Sequence, residues 1–185
     1  LVVADVSGKG TPASLMMASV HAWLQAMAGT ARPTQVLERL NRFLYANTQT
    51  SRYVTLFYGE LDPARRRLAY VNAGHVPPYL LRADGHEERL TAGGPVLGLL
   101  EDVALEGGEV AFARGDLLAV VTDGVTEALS ADEEEFGDER VRRALRGPAS
   151  RGASPPLASL VAAVDGWTGA AGCTDDLTAL ILRAT

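Results

Sequence analysis

Apolar positions recur along the chain with two different periods, and the switches between them mark its elements. Leu1 to Ala4 is a short unbroken apolar run closed by Asp5, the pattern of a buried strand. A glycine-containing loop follows, Ser7-Gly8-Lys9-Gly10. Thr11 and Pro12 then offer a capping residue and a proline at the first helical position. The helix they open carries Leu15, Met16, Met17, Val20, Trp23, Leu24 and Met27 and ends at Gly29. Apolar side chains cover more than half its circumference, which predicts a helix packed between layers. A second helix is expected from Pro33-Thr34, because Val36, Leu37, Leu40, Phe43 and Leu44 line one face.

Beyond the second helix the period shortens. Tyr53 to Leu61 and Arg67 to Asn72 flank Asp62-Pro63 and read as a hairpin. Pro78 to Ala83 and Glu87 to Leu90 flank Asp84-Gly85, a two-residue hairpin signal. Glu109 to Phe112 and Leu117 to Thr122 flank Arg114-Gly115-Asp116 and suggest a third hairpin. Residues 138–146 are weakly helical, and Gly147 to Pro156 has the composition of a mobile loop. Leu157 to Trp167 is a further helix and Leu177 to Leu182 a last strand. Paired helices and hairpin strands exclude a doubly wound parallel sheet and predict an α+β fold of mainly antiparallel sheets.

Composition narrows the setting. The 185 residues fit one domain, 1–185, with no internal repeat or linker. The single cysteine, Cys173, cannot close an intrachain bridge and suits a small buried hydrophobe. With no secretory signal, this points to a reducing, cytoplasmic setting. No apolar run approaches the ~20 residues that span a bilayer, so membrane insertion is not expected. A net charge of -6 argues against nucleic acid as a partner. Residue 1 already lies inside an apolar run, the pattern of a fragment of a longer chain. Its Leu1 to Ala4 edge would lack a sheet partner and be prone to association, a homodimer included.

Candidate chemistry sits at strand ends. Asp5 and Asp123 close two strands, and Asp175 and Asp176 stand just before the last one. In antiparallel pairing the end of one strand lies beside the start of its neighbour, so these acids could share one rim of a sheet. Carboxylates gathered there repel one another unless a cation lies between them. All-oxygen ligation selects magnesium or manganese over zinc. Gly8, Gly10 and Gly124 would let backbone, water or substrate approach closely. Asp-Gly after a strand is equally the composition of a turn, and spacing alone leaves the two readings level.

The residues also carry a resemblance. Asp5-Val6-Ser7-Gly8-Lys9-Gly10 with Pro12-Ala13, Asn72-Ala73-Gly74-His75 with Pro77-Pro78, and Gly94-Pro95 with Leu97-Gly98 occur in that order. Gly115-Asp116, Thr122-Asp123-Gly124-Val125-Thr126-Glu127-Ala128 and Asp175-Asp176-Leu177-Thr178 follow. Together these motifs span almost the whole chain. They resemble SpoIIE-like serine/threonine phosphatases of the metal-dependent protein phosphatase superfamily. The resemblance implies an α/β/β/α sandwich with a site for two Mn2+ or Mg2+ ions. It implies that Asp5 bridges both ions, that the Val6 backbone carbonyl completes one, and that Asp123 and Asp175 hold the other. Asp176 would then stand behind the ligands. It implies a phosphoserine or phosphothreonine protein as substrate, of the anti-sigma-factor antagonist type, and an upstream sensory domain in a full-length protein.

Other residues fit less specific roles. Lys9 could reach a substrate phosphate but equally suits a solvated loop. His75 suits a structural hydrogen-bonding role better than a catalytic one. Glu127 could orient water, or could be a first-turn helix carboxylate favoured by the helix dipole. Relatives carry an upstream strand with a Gly-Gly-Asp motif whose acid supplies a further metal contact; this chain begins after that point. The resemblance therefore predicts a sandwich lacking its N-terminal strand, and poor metal binding and turnover by this fragment unless it is extended upstream.

Two rival readings follow. Ser7-Gly8-Lys9-Gly10-Thr11 after a strand is similar to a P-loop, but Val3 and Gly10 occupy positions that need Gly and Ser or Thr. The second rival is a catalytically weak phosphatase-like module that docks a partner protein.

Overall fold

The structure, a computed structural model, describes residues 1–48, 52–147, 155–169, 172 and 175–185. Cys173 and most of the loop expected between Gly147 and Pro156 lie outside the described residues. The elements run β1 (Val2–Val6), α1 (Thr11–Met27), α2 (Pro33–Asn47), β2 (Val54–Asp62), β3 (Arg67–Ala73), β4 (Tyr79–Leu81) and β5 (Glu87–Arg89). Then come β6 (Gly93–Gly94), β7 (Gly108–Ala111), β8 (Leu117–Val121), α3 (Asp123–Thr126), α4 (Gly137–Arg146), α5 (Pro156–Thr168) and β9 (Ala179–Arg183). They group into two compact units, Leu1–Pro77 with Leu90–Phe112, and Pro78–Arg89 with Ala113–Thr185.

In the first unit the sheet order is β1-β2-β3-β6, with β7 also paired to β3. All pairs are antiparallel except the short β3–β6 contact. The register alternates side chains between two faces. Val6, Val54, Leu56, Tyr58, Val71 and Ala73 share one face and form a core with Met16, Val20, Leu24, Val36, Leu37, Leu40 and Leu44 of the two helices. Leu37, Leu40 and Leu44 are fully buried, each contributing roughly 1.5–3 kcal/mol by removal from water. Asp5 and Thr55 are cross-strand partners on the opposite face.

The helices differ from expectation in detail. Thr11 is the first helical residue rather than the cap, which is Gly10 at φ 81. α1 buries only Met16, Val20 and Leu24, and Leu15 is 65% exposed. It covers its sheet with one stripe rather than lying between layers, because a helix set on a sheet face needs only that stripe to be apolar. Trp23 stacks on Phe43 at 5.0 Å and ties α1 to α2. The buried Asn41 anchors the strand-poor stretch that follows β6. Its amide donates to the carbonyls of Leu100 and Glu101, and its oxygen accepts the Gly98 N–H at 2.9 Å.

In the second unit the order is β5-β4-β8-β9, antiparallel throughout. β8 is buried along its whole length, as its unbroken apolar run requires. α4 buries Val141 and Leu145. It carries Asp138 and Glu139 in its first turn and Arg143 and Arg146 in its last, in accord with its dipole. Asp116, 1% exposed, ion-pairs with Arg82 at 2.8 Å and accepts the N–H groups of Ala83 and Ala113. Tyr79 donates to Asp138 while the Arg89 guanidinium lies 3.7 Å over the Tyr79 ring.

Two hairpins form as expected, β2–β3 and β4–β5. The second has a three-residue loop rather than two: the Arg82 N–H bonds to the His86 carbonyl, with Gly85 at φ 94 absorbing the extra residue. The third hairpin does not form. β7 pairs with β3 in one sheet and β8 with β4 and β9 in the other. The Arg114-Gly115-Asp116 turn serves instead to change sheets, pinned by the Asp116 carboxylate. The fold class is α+β with mainly antiparallel sheets, each unit carrying helices beside its sheet.

Candidate functional site

The second unit holds the densest set of candidate acids. β8 ends at Val121, and the chain turns directly into the single-turn helix α3, whose first residue is Asp123. Asp123 is half-buried and bonds back to the Gly124 N–H at 2.9 Å. The last strand begins only at Ala179, so Asp175 and Asp176 lie in a connecting segment rather than at the strand start. That segment is nonetheless tied to the end of β8. The Thr122 N–H donates to the Thr178 carbonyl at 3.0 Å, and the Thr178 N–H donates to the Thr122 hydroxyl at 3.0 Å.

Gly124 is the point of closest approach. A Cβ there would meet the Asp176 carbonyl oxygen at 2.4 Å and the Asp175 carbonyl carbon at 3.7 Å. No real Cβ tolerates the first distance, so the absence of a side chain is what lets the Asp175-Asp176 backbone lie against the Asp123-Gly124 turn. This brings Asp123 and Asp175 onto adjacent backbone segments.

Beside them is a cavity of about 260 Å³ lined by Gly124, Glu127, Ala128, Leu129, Glu135 and Asp175. Partial desolvation first, then the charges of Asp123, Glu135 and Asp175, raise the Glu127 carboxyl above its ordinary range. Glu127 follows the last residue of α3 as its C-cap rather than sitting in a first turn, so a favourable helix dipole does not account for it. Glu135 carries no sequence signal of its own, being the last of four consecutive acids, Asp132 to Glu135. Its loop is held by Arg140, which donates to the Glu135 and Phe136 carbonyls, and by the Trp167 indole N–H, which donates to the Glu134 carbonyl.

The first unit holds the other candidates. Asp5 is exposed and penultimate in β1, which extends through Val6. The loop after it is fixed at its base, where the Ser7 N–H donates to the Tyr53 carbonyl and the Ser7 hydroxyl accepts the Tyr53 N–H, both at 2.9 Å. Gly8 takes φ 88, and a Cβ there would stand 3.1 Å from the Arg52 guanidinium. Arg52 is thus a cation beside the loop of Lys9, found only through folding because 43 residues separate the two in sequence. Lys9 itself is exposed.

The middle motif Asn72-Ala73-Gly74-His75 builds a tight turn at the end of β3. Gly74 takes φ 68, and a Cβ on it would lie 2.5 Å from Val96 Cγ1. The Asn72 side chain accepts the His75 N–H at 2.8 Å. His75 is 5% exposed, and its Nδ1 lies 3.1 Å from the Thr55 hydroxyl.

Hard oxygen donors are therefore present in both units, with glycine cradles beside them, and this donor chemistry fits magnesium or manganese. Among the described residues no group of three or more Asp, Glu, His or Cys side chains is arranged to hold an ion by itself. Backbone carbonyls and water would have to complete the coordination, as is usual for these hard cations. No helix among the described residues is long and apolar enough to cross a membrane.

Comparison with known proteins agrees with these observations. The family model described as Stage II sporulation protein E (SpoIIE) matches residues 1–185. Phosphoserine phosphatase RsbU of Bacillus subtilis is 34% identical over 129 residues, covering 69% of this chain and 38% of that protein. The chain thus spans well under half the length of this relative. Among solved structures, the SiaA-PP2C domain of Pseudomonas aeruginosa superposes with TM-score 0.80 at 22% identity, over 100% of this chain and 74% of that one. RsbX in complex with magnesium superposes with TM-score 0.69 at 16% identity, over 97% and 78% of the two chains. At these identities the structures establish the fold.

Proposed function

The chain belongs to the SpoIIE family, and on that premise we propose that residues 1–185 form a protein phosphatase domain that uses divalent ions to hydrolyse phosphoserine or phosphothreonine on a regulatory protein. The observation that carries this reading is the approach of the Asp175-Asp176 backbone to Gly124, which sets Asp123 and Asp175, the two acids read here as ligands, on adjacent segments. RsbU, a phosphoserine phosphatase by name, supports the same reaction class.

In this reading Asp5 and the Val6 carbonyl are the first unit's metal ligands, and Asp123 and Asp175 are the second's. What two bound Mn2+ or Mg2+ ions supply is a lowered pKa for water and neutralisation of phosphoryl charge during in-line attack. The chain's own residues do the rest. Gly124 keeps Asp123 and Asp175 in register. Glu127, whose carboxyl already binds its proton more tightly than usual, faces the same cavity and can accept a hydrogen bond from water. Lys9 and Arg52 offer positive charge for a phosphate. The substrate we propose is a small phosphorylated antagonist of an anti-sigma factor.

A second reading, a phosphatase-like module that docks a partner with weak catalysis, is favoured by one observation: the described side chains do not cage an ion unaided. Phosphate release from a phosphoserine protein, measured with manganese, after chelation and after adding manganese or magnesium back, separates the two. Ion-dependent and restorable turnover supports the enzyme. Turnover that survives exhaustive chelation overturns the metal-dependent mechanism, and none under any condition supports the docking module.

A further inference from the structure

We propose that the pocket between α1 and α2, with the 98–100 loop beside it, docks the segment of the protein substrate that carries the phosphorylated residue. The pocket takes one apolar side chain of that segment, and Arg52 takes the phosphate. This deepens the reading of the domain as a protein phosphatase and rests on it. The pocket has a volume of about 240 Å³. Whole small-molecule ligands usually occupy about 300–1,000 Å³, so a space of this size suits a side chain. Met16 and Leu44 are its buried lining, and Leu15, Phe43 and Arg52 line it as well. Leu15 is 65% exposed, so the apolar lining continues out to the surface.

The lining residues and the 98–100 loop all belong to the first unit. Gly98 takes φ 96 against the pocket, where a Cβ would stand 3.4 Å from Leu44 Cβ and 3.7 Å from Met16 Cε. The loop it opens is held in place from within. The Asn41 side chain accepts the Gly98 N–H and donates to the carbonyls of Leu100 and Glu101. Leu99 and Leu100 are nonetheless exposed, at 39% and 55%. A single exposed leucine needs no explanation. Leucines fixed beside an open apolar pocket form a surface already ordered for a partner.

Charge decides which partner. The Arg52 guanidinium is paired with no acid among the described residues. Its Nη1 would stand 3.1 Å from a Cβ on Gly8, so it lies against the loop that follows Asp5. Pro12, in the first turn of α1, lines the pocket from the far end of that loop. The pocket thus adjoins the loop that leads from a proposed metal ligand, and the cation stands between them. An anionic segment with one apolar anchor matches both features, because phosphate pairs with guanidinium in charge-assisted hydrogen bonds. A second copy packed on the same patch would bring like charge to like.

The test uses the full-length protein and fluorescein-labelled phosphoserine dodecapeptides of glycine and serine, with one leucine scanned through the positions that flank the phosphoserine. Binding is read by anisotropy with metal chelated, and phosphate release separately with manganese. One leucine position should tighten binding about tenfold over the leucine-free peptide. Leu15→Ser, at an exposed helical position, and Ser19→Phe, which fills the pocket, should each abolish that gain. Arg52→Gln should cut the preference for the phosphorylated over the unphosphorylated peptide about tenfold. Leu157→Ser, exposed on α5 in the other unit, should change neither. Equal binding of every peptide, or a gain that survives both Leu15→Ser and Ser19→Phe, overturns the docking surface. An unchanged phosphate preference in Arg52→Gln overturns its share in the site. A dimer that Leu15→Ser breaks, with no leucine preference, assigns the surface to a second copy and overturns the proposal. A leucine preference without manganese-dependent phosphate release keeps the surface but overturns the phosphatase reading, so the two failures are told apart.

Discussion

Gly124 and Asp176 meet so closely that a Cβ on the glycine would stand 2.4 Å from the Asp176 carbonyl oxygen. Fifty-two residues apart in sequence, they join the turn after β8 to the segment before β9. The contact is backbone against backbone, so no flexible side chain can yield to relieve it.

Gly124→Ala should therefore push the Asp175-Asp176 segment away from Asp123. Overpacking of this kind costs roughly 1–3 kcal/mol, and the displaced carboxylates should lose at least tenfold in manganese affinity, as ligands moved from their supports do. Urea unfolding and a manganese titration on the same protein check both parts. Unchanged manganese affinity would show that the contact serves packing alone.

Asp123→Asn tests the ligand directly. Turnover should fall by orders of magnitude while the circular dichroism spectrum stays that of the parent. Without metal the variant should be at least as stable as the parent, because Asp123 is one of the charges that raise the Glu127 carboxyl and its removal lowers like-charge repulsion. Near-parent turnover in the folded variant would remove Asp123 from the site.

Asp116 predicts the acid side of the stability curve. Burial by itself pushes its carboxyl up, but the Ala113 N–H, the Arg82 guanidinium and the Ala83 N–H outweigh it and hold the group below its usual range. A carboxyl depressed on folding stabilises the folded state above its unfolded pKa of about 3.9, and that stability is lost as pH falls from there through the folded value. Asp116→Asn should cost about 3 kcal/mol at pH 7, since it removes the buried carboxylate from its ion pair with Arg82. It should also flatten the loss of stability as pH falls from about 5 to below the unfolded value near 3.9. Urea midpoints across that range decide it; parallel curves for parent and variant would mean that other carboxylates set the acid limit.

Local chemistry made much of the molecule legible before folding was considered. The face formed by Val36, Leu37, Leu40 and Leu44 defines α2 because helical period and burial coincide there. Asp62-Pro63 places the β2–β3 turn because its residues favour that backbone. The ordered motifs indicate the family. Partner choice was not legible. Glu109 to Phe112 and Leu117 to Thr122 look like one hairpin, but strand pairing is decided by which other strands compete for each edge, and β3, β4 and β9 won. Glu135 is one acid among four in a row, and it comes to line a cavity with Asp175 only once its loop is folded and held, by Arg140 and Trp167 among other contacts. Thr55 and His75, ordinary residues twenty apart, become partners because the β2–β3 hairpin and the turn at Gly74 bring them within hydrogen-bond reach. Period and composition act over a few residues and are written in the chain. Register, close approach and the pairing of distant polar groups arise from packing the whole sheet, and only the tertiary structure decides them.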